Sequence, residues 1–346
     1  MTEPAPPLSS REDRKKDFRR RAWQIFLGAV GVLVLYGLIR RAGAANVWET
    51  LAAVRLDWLL VWLGVETMIF IGLALRWRML LRSLRVEVPL SKLVGVRLSG
   101  LAVGTLTPGA KLGGEPLRAY LLARDGTPGG PAVATVAVDR ALELVANLVF
   151  AVGYCALFAL RDRATAFRLL IVILLSGVAF AVATFLFLRR LKRGGSIVPA
   201  RLKNVLHRLG ASPESIEVTE HSLREILFTH PRLLAKALGA SLLLNAMILA
   251  EYGVLFVAFG VWPTLPDLAG ALLGVGLAHA LPIPASLGAL EGAQAAIFGL
   301  AEGRDHLAIV AATAARVRDI GWTLPGLVYL GILGLRSRRR SARNHA

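Results

Sequence analysis

The run Thr107-Pro-Gly-Ala-Lys-Leu-Gly-Gly-Glu-Pro-Leu-Arg118, with Asp139-Arg140-Ala-Leu-Glu143 downstream, decides how this chain is read. Shifting the chain by 176 residues superposes Pro108 on Pro284, Glu115 on Glu291, Arg140 on Arg316 and Glu143 on Asp319. The pattern of proline, glutamate, arginine and acid therefore occurs twice with identical spacing. The stretch Arg55–Arg76 maps in the same way onto Pro231–Tyr252. Each repeat unit is a long apolar helix, a hairpin broken by Gly and Pro, and a second long helix that carries charge.

The flanking sequence places both units in a membrane. Of 346 residues 55% are hydrophobic and only 18% charged, well below the roughly 25% charge of a soluble domain. Apolar runs lie at Trp23–Ile39, Leu56–Arg76, Ala132–Leu160, Phe167–Leu188, Leu233–Phe259 and His306–Leu335. They predict an all-α, polytopic membrane helix bundle of about six full spans. Two further segments, 90–123 and 268–302, have short arms interrupted by Gly, Pro or charge, and are expected to be re-entrant helical hairpins, giving up to ten apolar helices. Irregular backbone survives at membrane depth only where protein or a cavity covers it.

The net charge of +18 is written in short basic blocks beside apolar runs, which argues for membrane topology and against nucleic acid. Blocks at 11–21, 76–97, 189–236 and 336–343 hold 28 of the 41 Lys and Arg, whereas the intervening loops on the other side hold seven. Both termini are thus expected on the cytoplasmic side of the cell inner (plasma) membrane. The organisation expected is a basic N-terminus (1–22), a first membrane half (23–188, repeat unit 55–160), a cytoplasmic amphipathic linker (189–230), a second membrane half (231–335) and a basic tail (336–346). Trp23–Ile39 is read as an uncleaved anchor. With these orientations the two units run in opposite directions, and inverted repeats with broken helices at equivalent places are the sequence pointer to a transporter's midplane site.

The candidate site follows from the charges inside the runs. Arg140 and Glu143 share a helix face, as do Arg316 and Asp319. A charge at the bilayer centre costs roughly 2.5–3.5 kcal/mol, so each needs a partner or a function. Glu115 is the expected partner of Arg140, and Glu291 of Arg316. Pro108, Gly109, Gly113 and Gly114 turn the first hairpin, and Pro284 and Gly288 turn the second. The helix that starts near Glu115 directs free N–H groups into its turn, where Lys111 and Arg118 add positive charge. A lipid phosphate suits such a set. The alternative is a pair of ion pairs that only fix helix register. Glu66 and Glu251 lie within spans as candidate proton carriers or interhelical partners. Tryptophans 48, 58, 77, 262 and 322 fall near span ends, as interfacial anchors do. The lone Cys155 allows no intrachain disulfide, and neither a metal site nor a cofactor motif is expected.

The Pro-Gly turn with Gly114-Glu115 and Arg118, then Asp139-Arg140 with Glu143, then Ile283-Pro-Ala-Ser-Leu-Gly-Ala-Leu-Glu291, resembles the lysylphosphatidylglycerol synthase transmembrane region, or flippase-like, family. The resemblance covers roughly residues 20–335. It implies binding or translocation of an anionic or zwitterionic membrane lipid between leaflets, with lipids as the partners. In bifunctional members a separate domain makes the aminoacylated lipid. This chain ends eleven residues past its last expected span. It is expected to be a stand-alone member without enzyme activity, with a partner lipid synthase encoded elsewhere. The second reading is a membrane enzyme or accessory scaffold acting on phospholipid- or polyprenyl-linked substrates.

Overall fold

In lipid every backbone N–H and C=O must be satisfied within its own segment, so long apolar runs fold as helices. The computed structural model describes residues 54–107, 113–194, 213–281, 283–298 and 305–344. It is all-helical, with ten α-helices and no strand among these residues. The first unit consists of α1 (Leu56–Ser83), α2 (Leu90–Leu106), α3 (Gly114–Arg124) and α4 (Gly129–Phe158). Then come α5 (Arg163–Lys192) and α6 (Pro213–Arg224), the latter ending in a π-helical turn, Glu225–Thr229. The second unit consists of α7 (Pro231–Ala258), α8 (Leu265–Ala280), a 3₁₀ turn (Pro284–Ser286), α9 (Ala289–Phe298) and α10 (Asp305–Asn344).

The repeat is borne out helix by helix. Moved by 176 residues, α1, α2, α3 and α4 begin within one residue of α7, α8, α9 and α10. Both α1 and α7 are 28 residues long. The two units are also inverted. The amide of Arg55, entering α1, donates to the carbonyl of Ala258 at the end of α7 (2.8 Å). Trp62 meets Glu251 and Arg76 meets Ser241 further along the same pair, so α1 and α7 run antiparallel. The remaining contacts are exchanged between units. Helix α2 lies against α10, where Gly95 faces Tyr329 and Gly326 faces Leu98; α8 lies against α4, where Gly270 faces Phe158.

Helix lengths separate spans from hairpins. At 1.5 Å per residue, α1, α4, α5 and α7 are about 42–45 Å long, enough to cross a hydrocarbon core of about 30 Å. Among the described residues these four are both long and apolar enough to span. Helix α10 has the length, with 40 residues, but carries Arg316, Arg318 and Asp319 within its apolar run. The expected first span, Trp23–Ile39, lies outside the described residues. The arms α2 and α3 are about 26 and 17 Å long, and α8 and α9 about 24 and 15 Å, too short to cross as pairs.

Each hairpin is rooted at one face. Lys92 near the start of α2 pairs with Asp125 at the end of α3 (3.2 Å). Asp267 in the first turn of α8 pairs with Arg161, just past α4, on the side where α1 begins and α7 ends. The hairpins therefore enter from opposite faces, and the Pro284–Ser286 turn at the tip of the second packs against α2 of the first.

Several expectations change. The arm 90–106 was expected to be interrupted by Lys92, Arg97, Gly100 and Gly104, yet α2 is unbroken. Its glycines serve close approach instead: a Cβ on Gly114 would overlap the carbonyl of Gly100. Arg76 and Arg97, counted with an inner basic block, are 1% and 3% exposed and belong to the core. Two basic residues on the opposite side have acidic partners, Arg161 with Asp267 and Arg55 with Asp57 (2.7 Å), which offsets their charge there. Trp58 and Trp262 meet edge to face with centroids 6.2 Å apart, at the start of α1 and the end of α7. Trp77 and Trp322, expected as interfacial anchors, are buried. Helix α6 docks on the bundle, burying Ile216 and Leu223, with Val218 against Gly130 and Arg224 donating to the carbonyl of Leu191 (3.0 Å).

Candidate functional site

Two neighbouring residues of α4 face different surroundings. Asp139 is fully buried and Arg140 is about a quarter exposed at its side chain. Asp139 accepts from three arginines on three helices: Arg76 of α1 (2.9 Å), Arg97 of α2 (2.6 Å) and Arg118 of α3 (2.7 Å). Arg76 also donates to Ser241 of α7 (2.8 Å), and Arg118 lies over the Trp77 ring at 4.2 Å. This knot ties together α1, α2, α3, α4 and α7. Arg118, expected to add charge to an anion site, is instead committed to Asp139.

Arg140 faces the other way. Its guanidinium bonds Glu143 one turn on (3.1 Å) and lies 3.5 Å from Glu115 in the first turn of α3. Glu143 also pairs with Arg97 (3.1 Å), linking the sealed knot to the partly exposed arginine. Helix α3 begins at Gly114, so Glu115 stands where the free N–H groups of a helix favour an anion. Pro116 in the same first turn lacks only a proton that has no partner within the helix.

The second unit repeats the clasp more tightly. Arg316 of α10 grips Glu291 of α9 with two bonds of 2.7 and 2.9 Å, a bidentate fork. It also donates to the carbonyls of Ala285 (2.6 Å) and Ser286 (3.1 Å) in the hairpin tip. Those carbonyls are presented by unusual backbone: Ala285, Ser286 and Gly288 have φ of 51°, 48° and 72°. Left-handed conformation at two non-glycine residues persists only where surroundings hold it, and Arg316 supplies part of that hold. The expected pairs Glu115–Arg140 and Glu291–Arg316 are thus both brought together. Gly113 and Gly114 lie at the start of α3. Pro108, Gly109 and Lys111 lie outside the described residues.

The remaining candidate, Asp319, sits in another group. It is 3.7 Å from His279 of α8. One residue earlier, Arg318 binds both oxygens of Glu251 (3.0 and 2.9 Å), and Trp62 donates to the same carboxylate (3.1 Å). The repeat comparison missed Arg76, Arg97 and Arg318 because their partners in register are apolar or aromatic: Tyr252, Leu273 and Leu142. Their signal was present all the same, as arginines inside apolar helices.

The geometry is that of two arginine clasps at equivalent places, each on a glutamate near the start of a hairpin helix. Residues 23–326 match the family model of the lysylphosphatidylglycerol synthase TM region. The chain belongs to this family. Relatives include two UPF0104 membrane proteins of Methanothermobacter thermautotrophicus. One is 25% identical over 286 residues (79% of this chain, 84% of the relative) and the other 26% identical over 338 residues (92% and 95%). A UPF0104 membrane protein of Pyrococcus horikoshii is 28% identical over 284 residues (77% and 83%). The family match covers the first repeat unit and the second as far as residue 326, so the clasps and the hairpins all lie within it. With its apolar helices, this member of the family is an integral membrane protein.

Proposed function

We propose that the chain binds the head group of an anionic or zwitterionic phospholipid and moves it between leaflets, in a flippase-like manner. One observation carries this reading. Arg140 and Arg316 occupy equivalent places in two inverted units, each partly exposed and each held by a glutamate at the start of a hairpin helix. A phosphate offers the same oxygen geometry as that glutamate, next to the same helix N-terminus, and can take over the guanidinium. Glu115 and Glu291 then act as stand-ins that hold the arginines while no head group is present. Inverted units with hairpins from opposite faces suit alternating access to one midplane site. We assign the chain to the plasma membrane with both termini cytoplasmic, and regard a separate lipid synthase as its natural partner.

The test is reconstitution of the purified chain into liposomes containing fluorescent phosphatidylglycerol or phosphatidylethanolamine in one leaflet. Transfer should be faster than in protein-free vesicles, and should be lost in Arg140→Gln and Arg316→Gln. Equal rates with and without protein would dispose of the transport reading.

A further inference from the structure

We propose that Glu66 of α1 and Glu251 of α7 form a binding site for one proton, placed at the contact between the two inverted units. Both side chains are buried, at 4% and 0% exposure. The oxygens of Glu251 already receive Arg318 and Trp62. Glu66 lies one helical turn on from Trp62, which donates to Glu251, and among the described residues no donor reaches either of its own oxygens. Two carboxylates offer each other only lone pairs, and a hydrogen bond between them exists only when one carries a hydrogen.

The surrounding charges lead to the same conclusion. Within electrostatic reach of Glu66 are Glu251 on α7, and Arg318 and Asp319 on α10. Arg318 lies 5.8 Å from the Tyr252 ring of α7 and within electrostatic reach of Tyr154 on α4, and His279 of α8 lies beside Asp319. Arg318 alone is a permanent cation in this set, and it is spent on Glu251. A second bare carboxylate at this depth would have no cation of its own, whereas a shared proton removes that charge. Asp319, the residue after Arg318 in α10, pairs with the partly exposed His279 of α8.

The position gives the proton leverage. α1 and α7 are the matching first helices of the two units, and Glu66 and Glu251 lie one on each. Removing the proton sets two negative charges against each other there, favouring an arrangement in which the units have moved. Proton binding and unit movement are then linked in both directions. That second step rests on the transport reading above, whereas the proton site does not.

Infrared spectroscopy of the full chain in nanodiscs tests the site. At neutral pH the native protein should show a protonated-carboxyl stretch. The band should be lost in Glu66→Gln, which mimics the neutral acid in shape, and kept in Glu214→Gln at an exposed carboxyl. Glu66→Asp, which retains an acid, should shift the band rather than remove it. A native spectrum without the band, or a band indifferent to Glu66→Gln, overturns the proposal. So does stabilisation by sodium without the band, which would make the pair a metal-cation site. In liposomes, an imposed pH gradient should change lipid transfer by the native chain, and the response should be lost in Glu66→Gln. Transfer that ignores the gradient while the band is present overturns the coupling alone. Absence of any transfer while the band is present overturns the transport reading and leaves the proton site standing.

Discussion

At the residue scale, adjacent side chains carry different duties. Asp139 is the carboxylate shared by three buried arginines, and Asp139→Asn leaves only Glu143, beside Arg97 and Arg76, to balance them. Loss of one member of a buried ion network costs about 3–5 kcal/mol. The expected outcome is a large fall in thermal stability in detergent, with little protein recovered folded. Arg140 and Arg316 differ, because each is partly exposed and has a local carboxylate. Arg→Gln at either should leave folded, inserted protein and abolish transfer. Arg→Lys should restore only part of it, since a point charge replaces a bidentate fork. The double change Glu115→Gln with Arg140→Gln decides between roles: if the pair only fixes register, removing both partners restores transfer, and if Arg140 holds phosphate, transfer stays absent.

At the element scale, the hairpins depend on close approach and the spans on their ends. A side chain at Gly114 would run into the backbone of Gly100, so Gly114→Val should open the first hairpin. Protease accessibility of the α3 segment should rise while α5 stays protected. Helix α5 begins with Asp162, whose carboxylate accepts the amide of Thr165 (3.0 Å). That bond holds the Asp162 carboxyl below its ordinary range. A carboxyl so depressed favours the folded helix end above its unfolded value, and the benefit is lost as pH falls through the folded value. The protection factor for hydrogen exchange in the first turn of α5, taken against the intrinsic rate at each pH, should therefore fall in acid. Asp162→Ala should lower it at neutral pH, in line with the ~1 kcal/mol of a helix cap, and remove its acid dependence.

At the scale of the whole molecule, the antiparallel α1 and α7 make the inverted repeat a statement about sides of the membrane. Reporters at the N-terminus, near Ser215 and at the C-terminus should read cytoplasmic, and one at Pro263 external. The buried Arg76 and Arg97 weaken the basic count on the inner side by two, and the acid-paired Arg161 and Arg55 weaken the opposing count. The orientation still favours the basic blocks at 11–21, 189–236 and 336–343 as the cytoplasmic side. A cytoplasmic reading at Pro263 would put that face inside and reverse the orientation.

The sequence by itself determined the helical class, the repeat and the two clasps. Apolar runs must be helices in lipid, and a duplicated spacing of Pro, Glu, Arg and acid is legible without coordinates. Glu115 with Arg140 and Glu291 with Arg316 were readable because both partners recur. Which buried charges meet across helices was decided only by tertiary structure. Arg76, Arg97 and Arg118 converge on Asp139 from helices up to 63 residues away in sequence, and Trp62 and Arg318 meet on Glu251 from two further helices. Neither set recurs in the repeat. A membrane helix declares where it is charged, but the partner of each charge depends on which helix faces it, and that is fixed by packing.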